Sequence, residues 1–467
     1  MSNTNFSRRQ FLKAAGIVAG AATMPFAVFG KSGLSPNETP NLAFIGIGGR
    51  GSKNIGKFKE LGNIVAFADV NEASRTVKAM RTDFPEVPFF KDYRKMFDKM
   101  HKDFDAVVIS TPDHSHHAAA MWAIAAGKAL YVEKPLSHSI GESREMKSAA
   151  NKAGVISQMG NQSYSNDGIR VCKEWIDAGL IGNVEEVILW TDRLTPGQIA
   201  VSNGQWPAEE SIPDGLDWNL WLNVVMKTDF SSKILNNWRG WWRFGSGALG
   251  DIGCHMMGIP SYALDLSIPD KVTAMHRGGT DLKCPLQSKI VYEFNNPGQA
   301  KPLRMTWSDG FRREGGKQKM YEGFDKKYLP DIPEMFPDKD HNVLSDNGQF
   351  IVGDEGLIYI PAMHLGKAPI LLPQEKWEDV KNNLPEQKLE RVDPHWMNFI
   401  QAVKGEIPQA SSHFGVAADL TEIVSLGNLA LRTGDPILWD AKKMECKGNP
   451  EATKLVNTDP ANPEFLP

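Results

Sequence analysis

The sequence predicts an α/β protein of two parts: a parallel sheet wrapped by helices, then an α/β domain built on an open, mostly antiparallel sheet. Three observations carry this prediction. Over residues 41–160 short apolar runs alternate with helical patterns. A glycine-rich turn containing Gly46, Gly48, Gly49 and Gly51 follows the first of those runs. Past Gly160 the alternation gives way to scattered strand patterns among turn residues.

Residues 41–47 (NLAFIGI) read as a short buried strand, and the glycines after it open a helix that reaches Leu61. A second strand at 64–68 ends on Asp69, and 73–83 are helical. Residues 106–109 form a strand that runs into Thr111-Pro112, with a helix over 116–126. A strand at 129–132 leads into Glu133-Lys134-Pro135, a helix over 139–153 and a last strand at 155–159. Short strands alternating with longer helices are the pattern of βαβ units. Their parallel sheet is covered on both faces, which is why the strands read as continuous apolar runs. This is a dinucleotide-binding domain of the Rossmann type, spanning 41–160.

The second domain is placed at 161–445. A helix over 169–178 leads to an alternating strand at 185–191, and residues 193–250 carry many turn formers and little periodicity. Strand patterns recur at 271–275, 288–293, 304–307, 349–352 and 356–360. Helices over 395–404 and 417–432 close the domain and are expected to pack back on the first one, leaving 446–467 as a tail.

Composition excludes several classes of function. The 467 residues are 41% hydrophobic and 23% charged, with a net charge of −4. The basic excess of a nucleic-acid binder is missing. Cys172, Cys254, Cys284 and Cys446 show no CxxC spacing, so neither a disulfide framework nor a zinc ribbon is expected. The N-terminus is distinctive. Ser7-Arg8-Arg9-Gln10-Phe11-Leu12-Lys13 precedes a weakly apolar, Ala/Gly-rich stretch over 14–29. That arrangement is a twin-arginine export signal, with an apolar stretch too short to span a bilayer. A leader of residues 1–30, followed by a linker at 31–40, is expected. Its loss removes three basic and no acidic residues, taking the charge from −4 to −7. No cysteine follows the leader to carry a lipid, so the expected product is periplasmic without a membrane anchor.

The glycine pattern Gly46-x-Gly48-x-x-Gly51 lies between the first strand and its helix. Its glycines allow a tight turn and bring the backbone up to a pyrophosphate at the helix N-terminus. Asp69, at the end of the second strand and 18 residues beyond Gly51, can accept from the adenosine ribose hydroxyls, which favours NAD over NADP. Arg50 is within reach of a phosphate.

With Glu133-Lys134-Pro135 added to these motifs, the chain resembles the Gfo/Idh/MocA oxidoreductases. The likeness rests on the glycine-rich turn, Thr111-Pro112-Asp113-His114-Ser115-His116, Glu133-Lys134-Pro135 and residues 247–255, and it covers most of the chain after the leader. It implies that Lys134, Asp251 and His255 form the catalytic group. It further implies that Thr111, Pro112, His114, His116, Glu133, Lys134 and Gln162 border the cofactor. The second domain's open sheet is implied to serve as the contact of a homo-oligomer, a dimer or tetramer. The segment Trp238-Arg239-Gly240-Trp241-Trp242 just before the Asp/His pair is similar to an exported bacterial subgroup of that family.

Oxidising a secondary alcohol needs a base within reach of the hydroxyl and a donor for the oxygen that develops charge. Asp251 and His255 lie four residues apart, one helical turn, so both can point into one cleft. Histidine titrates near neutrality and suits proton transfer, leaving Lys134 to polarise the oxygen. The reversed roles stay open. An Asp/His pair at this spacing is also half of a zinc site, but no third ligand has motif spacing and no metal is expected. Seven of the thirteen tryptophans fall between Trp190 and Trp242. Trp206, Trp238, Trp241 and Trp242 are expected to form a platform for a sugar ring, with Arg239 reading its substituents. The expected activity is an NAD(P)-dependent oxidoreductase acting on a sugar, glycoside or inositol, with tightly held cofactor. A redox-neutral enzyme that cleaves or epimerises its substrate, and a non-catalytic sugar-binding protein, are the alternatives.

Overall fold

The computed structural model describes residues 38–193, 199–200, 204–295, 302–310, 325–337, 344–362, 369–392 and 394–467. The expected leader at 1–30 and the linker up to residue 37 lie outside the described residues.

The first apolar runs become the strands β1 (Asn41–Ile45), β2 (Asn63–Ala68), β3 (Phe89–Phe90), β4 (Ala106–Ile109), β5 (Ala129–Glu133) and β6 (Ser157–Gly160). They pair in the order β3-β2-β1-β4-β5-β6, all parallel. Every residue of β4 and β5 is buried, as strands covered on both faces must be. The order reverses between β1 and β4, and a crevice opens there at the carboxyl ends of the strands. In this first domain two elements escape the sequence reading, β3 and the helix Tyr93–Met100 after it. That helix did leave a signal. Asp92 caps it by accepting from Arg94 N, and Tyr93, Met96 and Phe97 form its buried stripe at helical spacing. The dense Lys and Arg between them obscured the pattern.

Past β6 the chain forms β7 (Val184–Thr191), β8 (Lys271–Arg277), β9 (Gln287–Phe294), β10 (Leu303–Asp309), β11 (Asn347–Gly353), β12 (Leu357–Ile360), β13 (Ile370–Leu372), β14 (Ile437–Asp440) and β15 (Glu445–Cys446). They make one sheet in the order β13-β12-β11-β7-β10-β9-β8-β14-β15. β7 and β10 run parallel, and the other pairs are antiparallel. The 20-residue helix Phe414–Thr433 packs on β8 and on the Rossmann helix Ile140–Ala153. Its mean hydropathy of 1.3 reflects a core position, since 72% of its apolar window is buried.

The end of the chain returns to the first domain. In the helix His395–Val403, Phe399 is wholly buried, edge-on to Phe58 at 6.0 Å and to Tyr131 at 5.8 Å. Residues 446–467 also pack inward: Trp122 Nε1 donates to Phe465 O at 2.8 Å, and the Arg94 guanidinium lies over the Phe465 ring. Truncating Phe399 to alanine removes the knob that closes this face of the Rossmann sheet. We expect Phe399→Ala to cost about 3–5 kcal/mol in denaturant unfolding; a loss below about 1 kcal/mol would show that the helix is only loosely docked.

Candidate active site

Three loops and one helical turn build the site. In the glycine-rich turn, Gly46 takes φ +77°, a conformation open to glycine. A Cβ on Gly51 would lie 1.8 Å from Gly46 O, so the helix Gly49–Phe58 can start against β1 only because Gly51 has no side chain. Asp69 completes the turn. Its Oδ2 accepts from Ile47 N at 2.9 Å and Gly48 N at 3.2 Å, and its Oδ1 from Asn71 N at 2.9 Å. Burial raises the Asp69 pKa while these three N–H donors oppose the rise.

The loop after β4 carries Thr111 and Pro112 into the crevice. It is fixed by two histidines. His116 has Nε2 at 2.8 Å from Thr111 O and Nδ1 at 2.8 Å from Pro135 O, joining the loops after β4 and β5. His114 reaches Trp221 O with Nε2 at 2.9 Å and packs against the Trp221 and Phe244 rings. Burial lowers its pKa to about 4, so the ring is neutral near pH 7.

The loop after β5 delivers Lys134. The facing element is a π-helical turn, Leu249–Gly253, continued by Cys254–Met256. It is not the regular α-helix that the four-residue spacing suggested, yet Asp251 and His255 both reach the same cavity. Gly250 makes the approach possible: a Cβ there would lie 2.2 Å from Ser246 Cβ and 3.8 Å from Pro135. Lys134 Nζ donates to Asp251 Oδ1, and Arg239 Nε lies 3.3 Å from the same oxygen. Burial alone would raise the Asp251 pKa, but the charges of Lys134 and Arg239 outweigh it and hold the carboxyl well below the usual carboxylate range.

These parts surround one cavity of about 1000 Å³. Gly46, Gly48, Gly49, Arg50, Asp69, Thr111, Pro112, Glu133, Lys134, Gln162, Trp238, Arg239, Asp251 and His255 all line it. Several do so in other ways than the sequence suggested. Arg50 Nε pairs with Glu133 Oε1 at 2.9 Å, and Gln162 donates to Tyr131 OH at 3.0 Å. His114 and His116 stand behind the wall as struts. The aromatic platform is corrected too. Trp241 is wholly buried and stacked on Trp206 at 5.0 Å. Trp242 is 6% exposed and donates Nε1 to Thr280 O. Both are core; of the four indoles only Trp238 lines the cavity, joined there by Trp221. Sequence reasoning missed Lys53, Asn71, Asp113, Arg193 and Asn236 on the wall. Asn71 and Asp113 sit next to recognised motif residues. Arg193 and Asn236 come from aperiodic chain that gave no signal.

The lining fits a dinucleotide. The glycine turn leaves the backbone bare where a pyrophosphate would approach, Asp69 stands at the end of β2, and the cavity runs from there to Lys134. Beside it the buried Thr111 Oγ1 has no hydrogen-bond partner among the described residues. Also among the described residues, no group of three His, Cys, Asp or Glu is gathered for a metal.

Comparison with known proteins agrees with this geometry. The family model of the oxidoreductase NAD-binding Rossmann fold matches residues 41–161, and that of the oxidoreductase C-terminal α/β domain matches 169–346. The chain belongs to the Gfo/Idh/MocA oxidoreductase family. A twin-arginine translocation signal is matched at residues 5–25, which indicates export by that pathway. Similar proteins include a levoglucosan dehydrogenase of Pseudarthrobacter phenanthrenivorans, 27% identical over 171 residues, covering 37% of this chain and 35% of that one. An inositol 2-dehydrogenase of Klebsiella pneumoniae is 30% identical over 145 residues, covering 30% and 42%. The chain thus spans well under half the length of these curated relatives. Among solved structures, the WlbA dehydrogenase of Bordetella pertussis, determined with NADH and UDP-GlcNAcA, superposes with a TM-score of 0.59. It is 14% identical, and the match covers 86% of this chain and 98% of that one. At that identity the likeness speaks for the fold. The Gfo/Idh/MocA chain described here carries its NAD-binding Rossmann domain with the glycine turn and Asp69 intact.

Gly51→Ala forces a methyl into Gly46 O. We expect it to cost about 1–3 kcal/mol or more and to weaken NAD binding measured by calorimetry. Gly56→Ala, with nothing within 4 Å of its Cβ, should leave binding unchanged. Equal NAD affinity in the two variants would contradict the close-approach account.

Proposed function

We propose that this chain is a periplasmic dehydrogenase that oxidises a secondary hydroxyl, or reduces the matching ketone, on a sugar, glycoside or inositol, using NAD held as a resident group. The observation that supports the reading is the meeting of Lys134, Asp251 and His255 in the cavity that also holds the glycine turn and Asp69. NAD in that cavity supplies the hydride acceptor.

The chain's own residues handle the proton and the charge. His255 takes the proton of the reacting hydroxyl. Lys134 Nζ donates to the same oxygen and steadies it as negative charge develops. Asp251, kept ionised by Lys134 and Arg239, holds the ammonium in place. A fixed donor at the reacting oxygen needs no reorganisation during the reaction, which is where such groups gain their effect.

The twin-arginine route carries folded proteins, so the dinucleotide is loaded before export and has no pool to exchange with outside. That argues for a retained group reset in place by a second substrate. The solvent side of the nine-stranded sheet is where we place a homo-oligomer contact: Met275 and Leu438 stand on its outer face, 41% and 45% exposed.

Lys134→Ala and His255→Asn should each lower kcat by about 10²–10⁴-fold, read as absorbance at the nicotinamide band on a substrate found by screening sugars, glycosides and inositols. Unchanged turnover in Lys134→Ala would remove Lys134 from the catalytic group, and no change at the nicotinamide band with any screened compound would return the chain to the class of non-catalytic binders. The protein purified from its folded pool should keep NAD through extended dialysis; rapid loss of the nucleotide counts against a resident group.

A further inference from the structure

The walls contributed by the second domain and by the loops after β4 and β5 are not electrically balanced. Three cations, Lys134, Arg193 and Arg239, face two carboxylates, Asp113 and Asp251, while the carboxylate at the end of β5, Glu133, is paired with Arg50. Both carboxylates are engaged. Asp113 Oδ2 accepts from Ser246 Oγ at 2.9 Å, and Asp251 is shared by Lys134 and Arg239. An oxidised nicotinamide nearby would add to the positive excess.

Arg239 is held in a particular pose. Its guanidinium lies over the Trp238 ring, 4.2 Å from the centroid, with Nε toward Asp251. Its main chain is pinned, because a Cβ on Gly245 would lie 2.5 Å from Arg239 Cα and Cys284 N donates to Gly240 O. The two Nη atoms have no acceptor among the described residues, and the side chain is 34% exposed. Arg193 is 35% exposed, its neighbour Asp192 no nearer than 4.0 Å. A planar guanidinium fixed through Nε and one face, with its Nη edge open, matches a carboxylate better than a hydroxyl.

We propose that the substrate is a polyhydroxy acid, a sugar or cyclitol bearing a carboxylate, gripped by the Nη edge of Arg239 with support from Arg193 while its carbinol lies at Lys134 and His255. This rests on the dehydrogenase reading above and narrows it.

Calorimetry on the full chain with its NAD tests the idea by comparing D-glucuronate, D-galacturonate and D-gluconate with D-glucose, D-galactose and D-glucitol. At least one acid should bind about tenfold or more tightly than its neutral counterpart. Raised salt should erode that preference, and Arg239→Met should abolish it. Should that variant fail to fold by circular dichroism, Arg193→Met serves, with a smaller loss expected. Neutral compounds binding as well as the acids, no acid binding at all, or an acid preference unchanged in the folded variant would overturn the proposal. The two readings fail separately: an acid that binds through Arg239 without ever changing the nicotinamide absorbance speaks against dehydrogenation and leaves the anion preference standing.

Discussion

Lys134 and Asp251 are both nearly buried, with side chains 12% and 13% exposed, and they come from different domains. Charges withdrawn from water are costly unless each finds its partner. The pair therefore holds the Rossmann loop after β5 and the π-helical turn of the second domain in one relative position. Breaking such a pair by removing one member typically costs about 3–5 kcal/mol. Arg239 softens that cost here as a second cation on the same carboxylate, and the two cations together keep Asp251 ionised. In the reaction proposed above, the joint that closes the cavity also takes part in the chemistry.

The joint depends on missing side chains as much as on charged ones. Gly250 lets the π-helical turn come down on Ser246 and Pro135, and Gly51 lets the first Rossmann helix start against β1. The histidines of the loop after β4 act in the same sense. His116 ties that loop to the one after β5, and His114 anchors it to the second domain through Trp221 O. Burial lowers the His114 pKa, and its contacts with Trp221 and Phe244 make it a strut behind the cavity wall. A second layer of polar contacts, Arg50 and Asn54 on Glu133 and Gln162 on Tyr131 OH, stiffens the floor beneath them.

The Rossmann half was legible because its information is local. Apolar runs report burial on both faces, and the glycines report where the backbone must approach something closely. The helix Tyr93–Met100 was missed although its stripe was present, because charged residues diluted it. Residues 204–250 resisted for a deeper reason. Their shape is set by contacts with distant elements, such as Trp242 N on Leu282 O and Cys284 N on Gly240 O, and not by their own periodicity.

The sequence by itself determined which chemical groups exist and which short stretches hold them: the glycine turn, Asp69, the Glu-Lys-Pro loop, and the Asp/His pair. Only the tertiary structure decided which of these share a cavity. An indole in a Trp-rich run carries no mark of the side it will face; packing buried Trp241 and Trp242 and left Trp238 on the wall. Nor does spacing say that Asp251 will pair with a lysine 117 residues away. Ion pairing across domains and the burial of large rings are settled by long-range packing, where the whole chain competes for the same interior volume and neighbours in sequence have little say.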